Sequence, residues 1–293
     1  MALQFDLSLE PRYGELVRLT PLVARLLAPN PGPYTFRGTG VYIIGASESV
    51  AVIDPGPDLP EHIAVLKRVL AGHKVSHILI THSHSDHSPA ARPLQQWCGA
   101  PIYGFGSHVE SSDVEESGDH LFVPDMRVGD GALIAGADFA IECVFTPGHT
   151  SNHMCYALIE EKALFTGDHV MGWSTSVIAP PDGNMGDYLR SLEKLIARDD
   201  RILYPTHGSP ITQPAPLLRA YLTHRRMREA QIAACLARGE NGITALVARL
   251  YAGLKPELVP AACLTVRAHL EHMIAQGRVT QDGDAYSVIA KAP

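Results

Sequence analysis

The sequence predicts an α/β body over residues 1–214 and a small, mostly helical module over residues 215–293. Three observations carry this. Short apolar runs of strand character alternate with stretches of helical spacing across the body, with brief connections, which is the layering of α/β proteins. Five of the runs give way at once to an imidazole or a carboxylate: Asp54, His82, His149, Asp168 and His207. From Pro216 the pattern becomes helix, helix, helix and hairpin, the order of a winged-helix module.

Taken in order, residues 12–28 alternate around Pro21 and read as edge strands. Residues 30–40 are heavily punctuated by Pro and Gly and form a loop of the kind that borders binding sites. Strands follow at 41–45 and 49–54, the second stopping at Asp54-Pro55-Gly56. Residues 59–71 carry Ile63, Leu66, Val69 and Leu70 at helical spacing. Residues 75–80 are a strand, 89–97 a helix closed by Gly99, and 101–104 a short strand. Residues 107–120 are acidic and polar and read as a mobile surface insertion, with His108 and His120 at solvated positions. Several short strands fill 121–166, and residues 170–184, rich in small residues, form a second candidate wall of a site. A helix over 188–198 buries Leu189, Leu192, Leu195 and Ile196, and Tyr188 reads as a packed aromatic. A strand at 201–204 ends on Pro205-Thr206-His207-Gly208. In the tail, helices at 216–238, 243–251 and 260–276 precede a hairpin over 277–289 that turns at Asp282-Gly283.

Composition narrows the class. The chain is 46% hydrophobic and 19% charged, ordinary for a globular protein. It has no apolar run of about 18 residues, so no membrane span is expected. Its first residues lack the pattern of a signal peptide. The five cysteines (Cys98, Cys143, Cys155, Cys235, Cys263) are scattered and never form a Cys-x-x-Cys pair. That speaks against a disulfide framework and a thiolate zinc site, and fits a reduced, cytoplasmic compartment. The net charge of −7 is uneven: residues 1–214 hold 14 Lys and Arg against 25 Asp and Glu, residues 215–293 hold 10 against 6. A basic module on an acidic body hints at an anionic partner; a basic solvated face gives the same count.

The chemistry centres on Thr81-His82-Ser83-His84-Ser85-Asp86-His87. Imidazole and carboxylate are the usual ligands of zinc and similar divalent metals, and crowded neutral imidazoles gain little from one another without a cation. Strand ends supply further candidates, giving His82, His84, Asp86, His87, His149, Asp168 and His207. Seven ligands are too many for one open zinc site and suit two ions sharing a carboxylate. Asp54 reads as a residue that orients a ligand histidine, or as a cap on the turn that follows it. His153 and His169 lie within four residues of a ligand and are expected to touch substrate or support a ligand, and Trp173, Ser174 and Thr175 to line the pocket.

The set His-x-His-x-Asp-His, followed by separate His, Asp and His residues at strand ends, resembles the metallo-β-lactamase superfamily over roughly residues 15–214. Asn30-Pro31-Gly32-Pro33, Ile53-Asp54-Pro55-Gly56-Pro57, the run from Thr146 to His153 and the run from Gly167 to Ser174 are similar to the lactamase-beta-like branch that ends in a winged-helix tail. The resemblance implies an αββα sandwich followed by a winged-helix-like domain, with the site at one edge between the sheets. It implies one zinc on His82, His84 and His149, a second on Asp86, His87 and His207, and Asp168 bridging both; iron or manganese fits such a site too. A metal-bridging hydroxide would attack an electrophilic centre, with Asp86 as the catalytic residue that orients it and carries a proton to the leaving group. Two departures stand out: Ser88-Pro89 where small glycines are common, and Gly38-Thr39-Gly40-Val41-Tyr42 where the branch has Gly-Thr-Asn-Thr-Tyr.

The expected function is therefore a dinuclear zinc hydrolase acting on an ester, thioester or lactam carbonyl. The winged-helix tail and the basic helix around Arg219–Arg228 keep open an endonuclease acting on single-stranded RNA. A third, non-enzymatic reading is a winged-helix nucleic-acid binder whose body senses a ligand. The same tail offers a contact for an oligomer.

Overall fold

The computed structural model describes residues 3–107 and 118–289. Most of the acidic stretch at 107–120, with His108, lies outside them; His120 is exposed. The first sheet runs in sequence order through seven strands: β1 (Val17–Arg18), β2 (Val23–Leu27), β3 (Gly40–Ile44), β4 (Ser49–Ile53), β5 (Lys74–Leu79), β6 (Ile102–Gly104) and β7 (Met126–Arg127). β1 to β4 are antiparallel neighbours, while β4 to β7 run parallel. The parallel part needs crossovers. Helices α1 (Pro60–Leu70) and α2 (Ala91–Cys98) supply two of them. α1 opens on Pro60 and closes with Lys67 and Arg68 in its last turn, so fixed φ favours its start and positive charge its carbonyl end. α2 stops at Gly99, which takes the left-handed conformation at φ 74°.

The second sheet has β8 (Leu133–Ala135), β9 (Ala140–Phe145), β10 (Met154–Leu158), β11 (Ala163–Gly167) and β12 (Ile202–Pro205) in the order 12-11-10-9-8. Only β11 and β12 are parallel, joined through α3 (Met185–Ile196). That helix begins three residues before the expected Tyr188, because the Asn184 side chain caps it, accepting from the Asp187 N–H at 3.0 Å.

Period-two alternation explains how two sheets become a four-layer sandwich. Val23, Tyr42, Ile44, Ala51, Ile53 and Leu79 of the first sheet meet Ile141, Met154, Tyr156, Phe165 and Tyr204 of the second in one buried cluster. The alternate positions Ala24, Leu26, Val41, Ile43, Val50 and Val52 pack outward on Leu66 and Leu70 of α1 and Leu94 of α2. On the far face Val144, Cys155, Ala157 and Leu164 meet Tyr188, Leu192 and Leu195 of α3. The αββα layering expected from the sequence is the observed one.

Helix α4 (Pro214–Ala237) belongs to two cores. Leu218, Tyr221 and Leu222 complete the outer layer beside α3, while Ile232, Cys235 and Leu236 pack in a separate C-terminal cluster. That cluster also takes Leu246 and Val247 of α5 (Ile243–Leu250), Val266, Leu270 and Met273 of α6 (Val259–Ala275), and Val279 and Tyr286 from the hairpin β13 (Val279–Asp282) and β14 (Ala285–Val288). Gly283 turns the hairpin at φ 56°. Among the described residues no helix is long and apolar enough to cross a membrane, and all five cysteines are free.

Glu229 of α4 is the polar knot of this module. Its carboxylate accepts from His272 Nδ1 at 2.7 Å and Arg278 Nη1 at 2.5 Å, with His269 Nδ1 at 3.6 Å. Burial alone would raise its pKa, but His269, His272 and Arg278 outweigh that and hold it well below the usual 4.5. A depressed carboxylate binds fewer protons folded than unfolded, so its stabilisation is full above about pH 4.5 and fades as pH falls. Glu229→Gln is therefore expected to lower stability at pH 7 and to flatten its loss between pH 4.5 and pH 3, followed by urea denaturation across that range; an unchanged acid profile would refute the assignment.

Candidate metal centre

The site forms where strand ends from both sheets meet. Asp54 leaves β4 with φ 48°, a left-handed conformation that a short polar residue tolerates best. Its carboxylate is completely buried and accepts four hydrogen bonds: Thr81 N–H (2.8 Å), Thr81 Oγ1 (2.7 Å), Thr206 Oγ1 (3.2 Å) and His87 Nδ1 (2.8 Å). Because a carboxylate only accepts, His87 must carry a proton on Nδ1, which leaves Nε2 to face inward. The same logic runs on. Thr81 gives its hydroxyl proton to Asp54, so it accepts from His82 Nδ1 at 3.0 Å, and His82 also presents Nε2. His149 donates Nδ1–H to the Val177 carbonyl at 2.6 Å, and His207 donates Nδ1–H to that of Gly38 at 3.2 Å. Four tautomers are thus set from outside the site.

The inward atoms fall into two groups, each with its donor atoms within 4.8 Å of one another: His82, His84, His149 and Asp168, and then Asp86, His87 and His207. In the first, His84 Nδ1 is 2.9 Å from His82 Nε2 and 3.2 Å from His149 Nε2. In the second, Asp86 Oδ2 lies 3.1 Å from His207 Nε2 and 3.4 Å from His87 Nε2. Asp168 reaches both, with Oδ1 at 3.4 Å from His207 and 3.6 Å from His87, and Oδ2 at 3.8 Å from His149.

Electrostatics fit a cation. Burial and neighbouring imidazoles push His82 well below its usual pKa and His84 down to about 3, so both present lone pairs. Burial likewise lowers His149, though Asp168 opposes it. In the second group burial would lower the histidines, but the carboxylates win: Asp86, Asp168 and Asp54 raise His87, and Asp168 and Asp86 lift His207 to about 10. Asp86 and Asp168 are held low against burial chiefly by His87 and His207. Two carboxylates therefore gather positive charge, and His87 Nε2 and Asp168 Oδ1 remain buried without a hydrogen-bond partner. Unpaired buried donors and acceptors that converge are costly, and a bound metal ion would relieve them.

The remaining predicted residues take distinct places. His153 is fully buried; it donates to Thr146 Oγ1 at 2.9 Å and accepts the Asp168 N–H at 3.2 Å, so it holds a backbone and does not face solvent. His169 is also fully buried, its ring between His153 and Tyr188, with neither nitrogen hydrogen-bonded. Tyr188 packs as expected and donates to the His169 carbonyl at 2.8 Å. Trp173 stacks on Phe36 with centroids 5.1 Å apart and rings 11° from parallel. Their chain neighbours bond to His207, whose backbone carbonyl accepts from Gly172 N–H while its ring donates to Gly38.

Several contributors escape sequence reasoning. Thr39 Oγ1 donates to Asp86 Oδ2 at 3.3 Å, and Asn30 holds Thr39 through Oδ1 and Nδ2. The Asn-Pro-Gly-Pro motif was the available signal for Asn30. Val177 acts through a carbonyl in an irregular loop, which no residue pattern announces. Gly40, where the branch has Asn, donates its N–H to the Thr206 carbonyl, and a Cβ there would sit 3.0 Å from that oxygen.

Comparison with known proteins identifies the family. Residues 34–207 match the family described as the metallo-beta-lactamase superfamily, and residues 243–287 match the beta-lactamase associated winged helix domain. The lactamase-like protein adaB of Aspergillus niger is 33% identical over 253 residues, covering 85% of this chain and 75% of that protein. The atrochrysone carboxyl ACP thioesterase of Claviceps purpurea is 31% identical over 232 residues, 78% of this chain and 69% of that one. Among solved structures, a beta-lactamase domain protein from Burkholderia ambifaria superposes with a TM-score of 0.82 at 17% identity, covering 98% of this chain and 97% of that one. The likeness to that structure concerns the fold alone.

Asp54→Ala is expected to weaken binding of a divalent cation by about 10–100-fold, because His87 loses the acceptor that sets its tautomer. Chelator competition on the folded variant measures this; wild-type affinity would show that Asp54 only caps its turn.

Proposed function

Because the chain belongs to the metallo-β-lactamase superfamily and is a hydrolase of that fold, we propose that it is a dinuclear metal-dependent thioesterase. The observation that carries the reading is the convergence of seven donor atoms in two groups with Asp168 between them. We assign His82, His84 and His149 to one ion, Asp86, His87 and His207 to the other, and Asp168 to both. Zinc suits this imidazole-rich set, and iron or manganese would also be accepted. Divalent ions held there supply Lewis acidity, bringing the pKa of water toward neutrality and polarising a carbonyl oxygen.

The chain's own residues do the rest. His82, His87 and His207 are fully buried, so their positions are rigid, while His84 and Asp86 keep partial exposure and mark the open side. Asp86 is the carboxylate a substrate meets first: its side chain is 23% exposed against 11% for Asp168. Thr39 fixes one of its oxygens. In this position Asp86 accepts a proton from attacking water and returns it to the departing thiolate, so that water adds to the acyl carbon, the C–S bond breaks, and an acid and a thiol leave. A thiolate is a good leaving group near neutral pH, with a thiol pKa of about 8.5, so little acid assistance is needed.

Thioester is preferred over lactam and oxygen ester because relatives covering more than three quarters of this chain carry thioesterase names. The stacked Phe36 and Trp173, on the loops whose Gly38 and Gly172 bond to His207, offer a flat apolar wall for an acyl group. The RNA reading rested on the winged-helix tail and its basic helix, and three of that helix's arginines are engaged. Arg225 is buried, Arg226 pairs with Glu193 at 2.6 Å, and Arg228 donates to the Leu250 carbonyl and lies over the Tyr251 ring.

The test is turnover of an aromatic acyl thioester, nitrocefin and single-stranded RNA by zinc-loaded protein, with His84→Ala as control. Thioester hydrolysis is expected to dominate, and Asp86→Asn to lower its kcat by about 10²–10⁴-fold, the range for loss of an acid–base group. Thioester turnover no faster than in His84→Ala would sink the proposal.

A further inference from the structure

Arg225 is among the largest fully buried side chains of the protein, at 2% exposure, and makes no ion pair among the described residues. A buried guanidinium without a carboxylate is costly, so what it does touch is informative. Its Nη2 donates to the Ser176 carbonyl at 2.5 Å, and its guanidinium carbon lies 5.0 Å from the Tyr188 ring centroid. Ser176 in turn sends its hydroxyl to the carbonyls of Asp168 (2.6 Å) and His169 (2.9 Å). The next residue, Val177, supplies the carbonyl that accepts from His149 Nδ1. One residue further, the Ile178 N–H donates to Thr265 Oγ1 of α6 at 3.4 Å. Tyr221, one turn before Arg225 on α4, donates to the carbonyls of Met171 (2.7 Å) and Ser174 (2.6 Å).

We infer that Arg225 is a positioning residue for the metal centre: with Tyr221 and Thr265 it braces the 168–178 loop from α4 and α6, and so places Asp168 and the tautomer-setting carbonyl of Val177. The inference rests on the metal reading proposed above. It gives the C-terminal helices a part in metal binding that their fold does not announce. The brace acts on the first donor group and on Asp168, whereas His87 is set separately by Asp54 and His207 by Gly38. Loss of the brace therefore weighs more on the first group, where it reaches both His149 and Asp168, than on the second, where it reaches Asp168 alone. A role confined to general packing would lower stability and leave the two metal positions equally affected.

The experiment uses the full-length protein with Arg225→Met, Arg225→Lys and Thr265→Val, and Arg226→Met as a control on the exposed face of the same helix. Zinc affinity is measured by chelator competition, cobalt(II) absorption reports the ligand field, and ¹⁵N shifts of the His149 ring in metal-free protein report its tautomer. Folded Arg225→Met is expected to lose about 10–100-fold in affinity at the site that includes His149, the range for removing support behind a ligand, and less at the other, which shares only Asp168. It is also expected to change the cobalt spectrum and to lose the single protonated-Nδ1 signature of His149, with Arg225→Lys recovering most of this and Arg226→Met matching wild type. Should Arg225→Met fail to fold, Arg225→Lys and Thr265→Val decide by the same readouts. Wild-type affinity, spectrum and His149 shifts in folded Thr265→Val and Arg225 variants would overturn the brace. Absence of metal binding by the wild type would instead overturn the metal reading, while the His149 shifts would still test the brace.

Discussion

The carboxylate of Asp54 is the interaction on which the rest of the centre depends. It stands at the end of β4 and accepts from Thr81 after β5 and Thr206 after β12. Those contacts tie the two sheets together at the rim where they would otherwise part, because β4 and β5 belong to one sheet and β12 to the other. The same group orients His87 directly and His82 through Thr81. One buried acid thus does structural and chemical service together. Four hydrogen bonds satisfy it, which is what makes an ionised carboxylate tolerable at zero exposure. Its left-handed backbone is a local cost, shared by Phe36 and Lys162 elsewhere in the described residues.

Charge explains why the inner groups sit so close. In the protein alone, His87 and His207 are drawn toward the protonated state by Asp86 and Asp168, while His82 and His84 are driven toward the neutral state by burial and by one another. The two donor groups therefore differ in character although they share Asp168: one is a set of neutral lone pairs, the other an acid–imidazole pair system. Two cations would serve both, displacing protons from the second group and separating the lone pairs of the first. The outer hydrogen bonds at His82, His87, His149 and His207 all fix the nitrogen that faces away, so the ring orientations are set by the fold.

Much of this was legible because short apolar runs announce where they stop, and chemistry placed at a stop is visible in one dimension. The His82–His87 run, His149, Asp168 and His207 each follow such an end, and the structure brings all of them to one place. Helix starts were less legible: α3 begins at Met185 because Asn184 caps it, three residues ahead of the first position that apolar spacing marks. Backbone acceptors were not legible at all. Val177, Gly38 and Ser176 act through carbonyls, and a carbonyl carries no residue identity. His153 and His169 illustrate a third difficulty. Proximity in sequence to a ligand suggested contact with substrate or support of a ligand, without choosing between them; both rings are fully buried, and His153 accepts the N–H of Asp168, on the supporting side.

The basic helix shows how a charge count misleads when the third dimension is missing. Arg225, Arg226 and Arg228 lie within four residues and together suggested an electrostatic footprint. Helical geometry sends them in different directions. Arg225 enters the core and meets loop carbonyls, Arg226 faces α3 and meets Glu193, and Arg228 faces α5 and meets Leu250 and Tyr251. Arg278 is drawn in by Glu229 within the same module. A guanidinium with five donors in a rigid fork is suited to gathering carbonyls at a seam between elements. α4 runs along such a seam, with one half in the outer layer of the sandwich and the other in the C-terminal cluster. On that view Arg225 is an internal device that joins the helical module to the loop that carries Asp168, while Arg219, Arg226, Arg238, Arg249 and Lys255 stay on the surface.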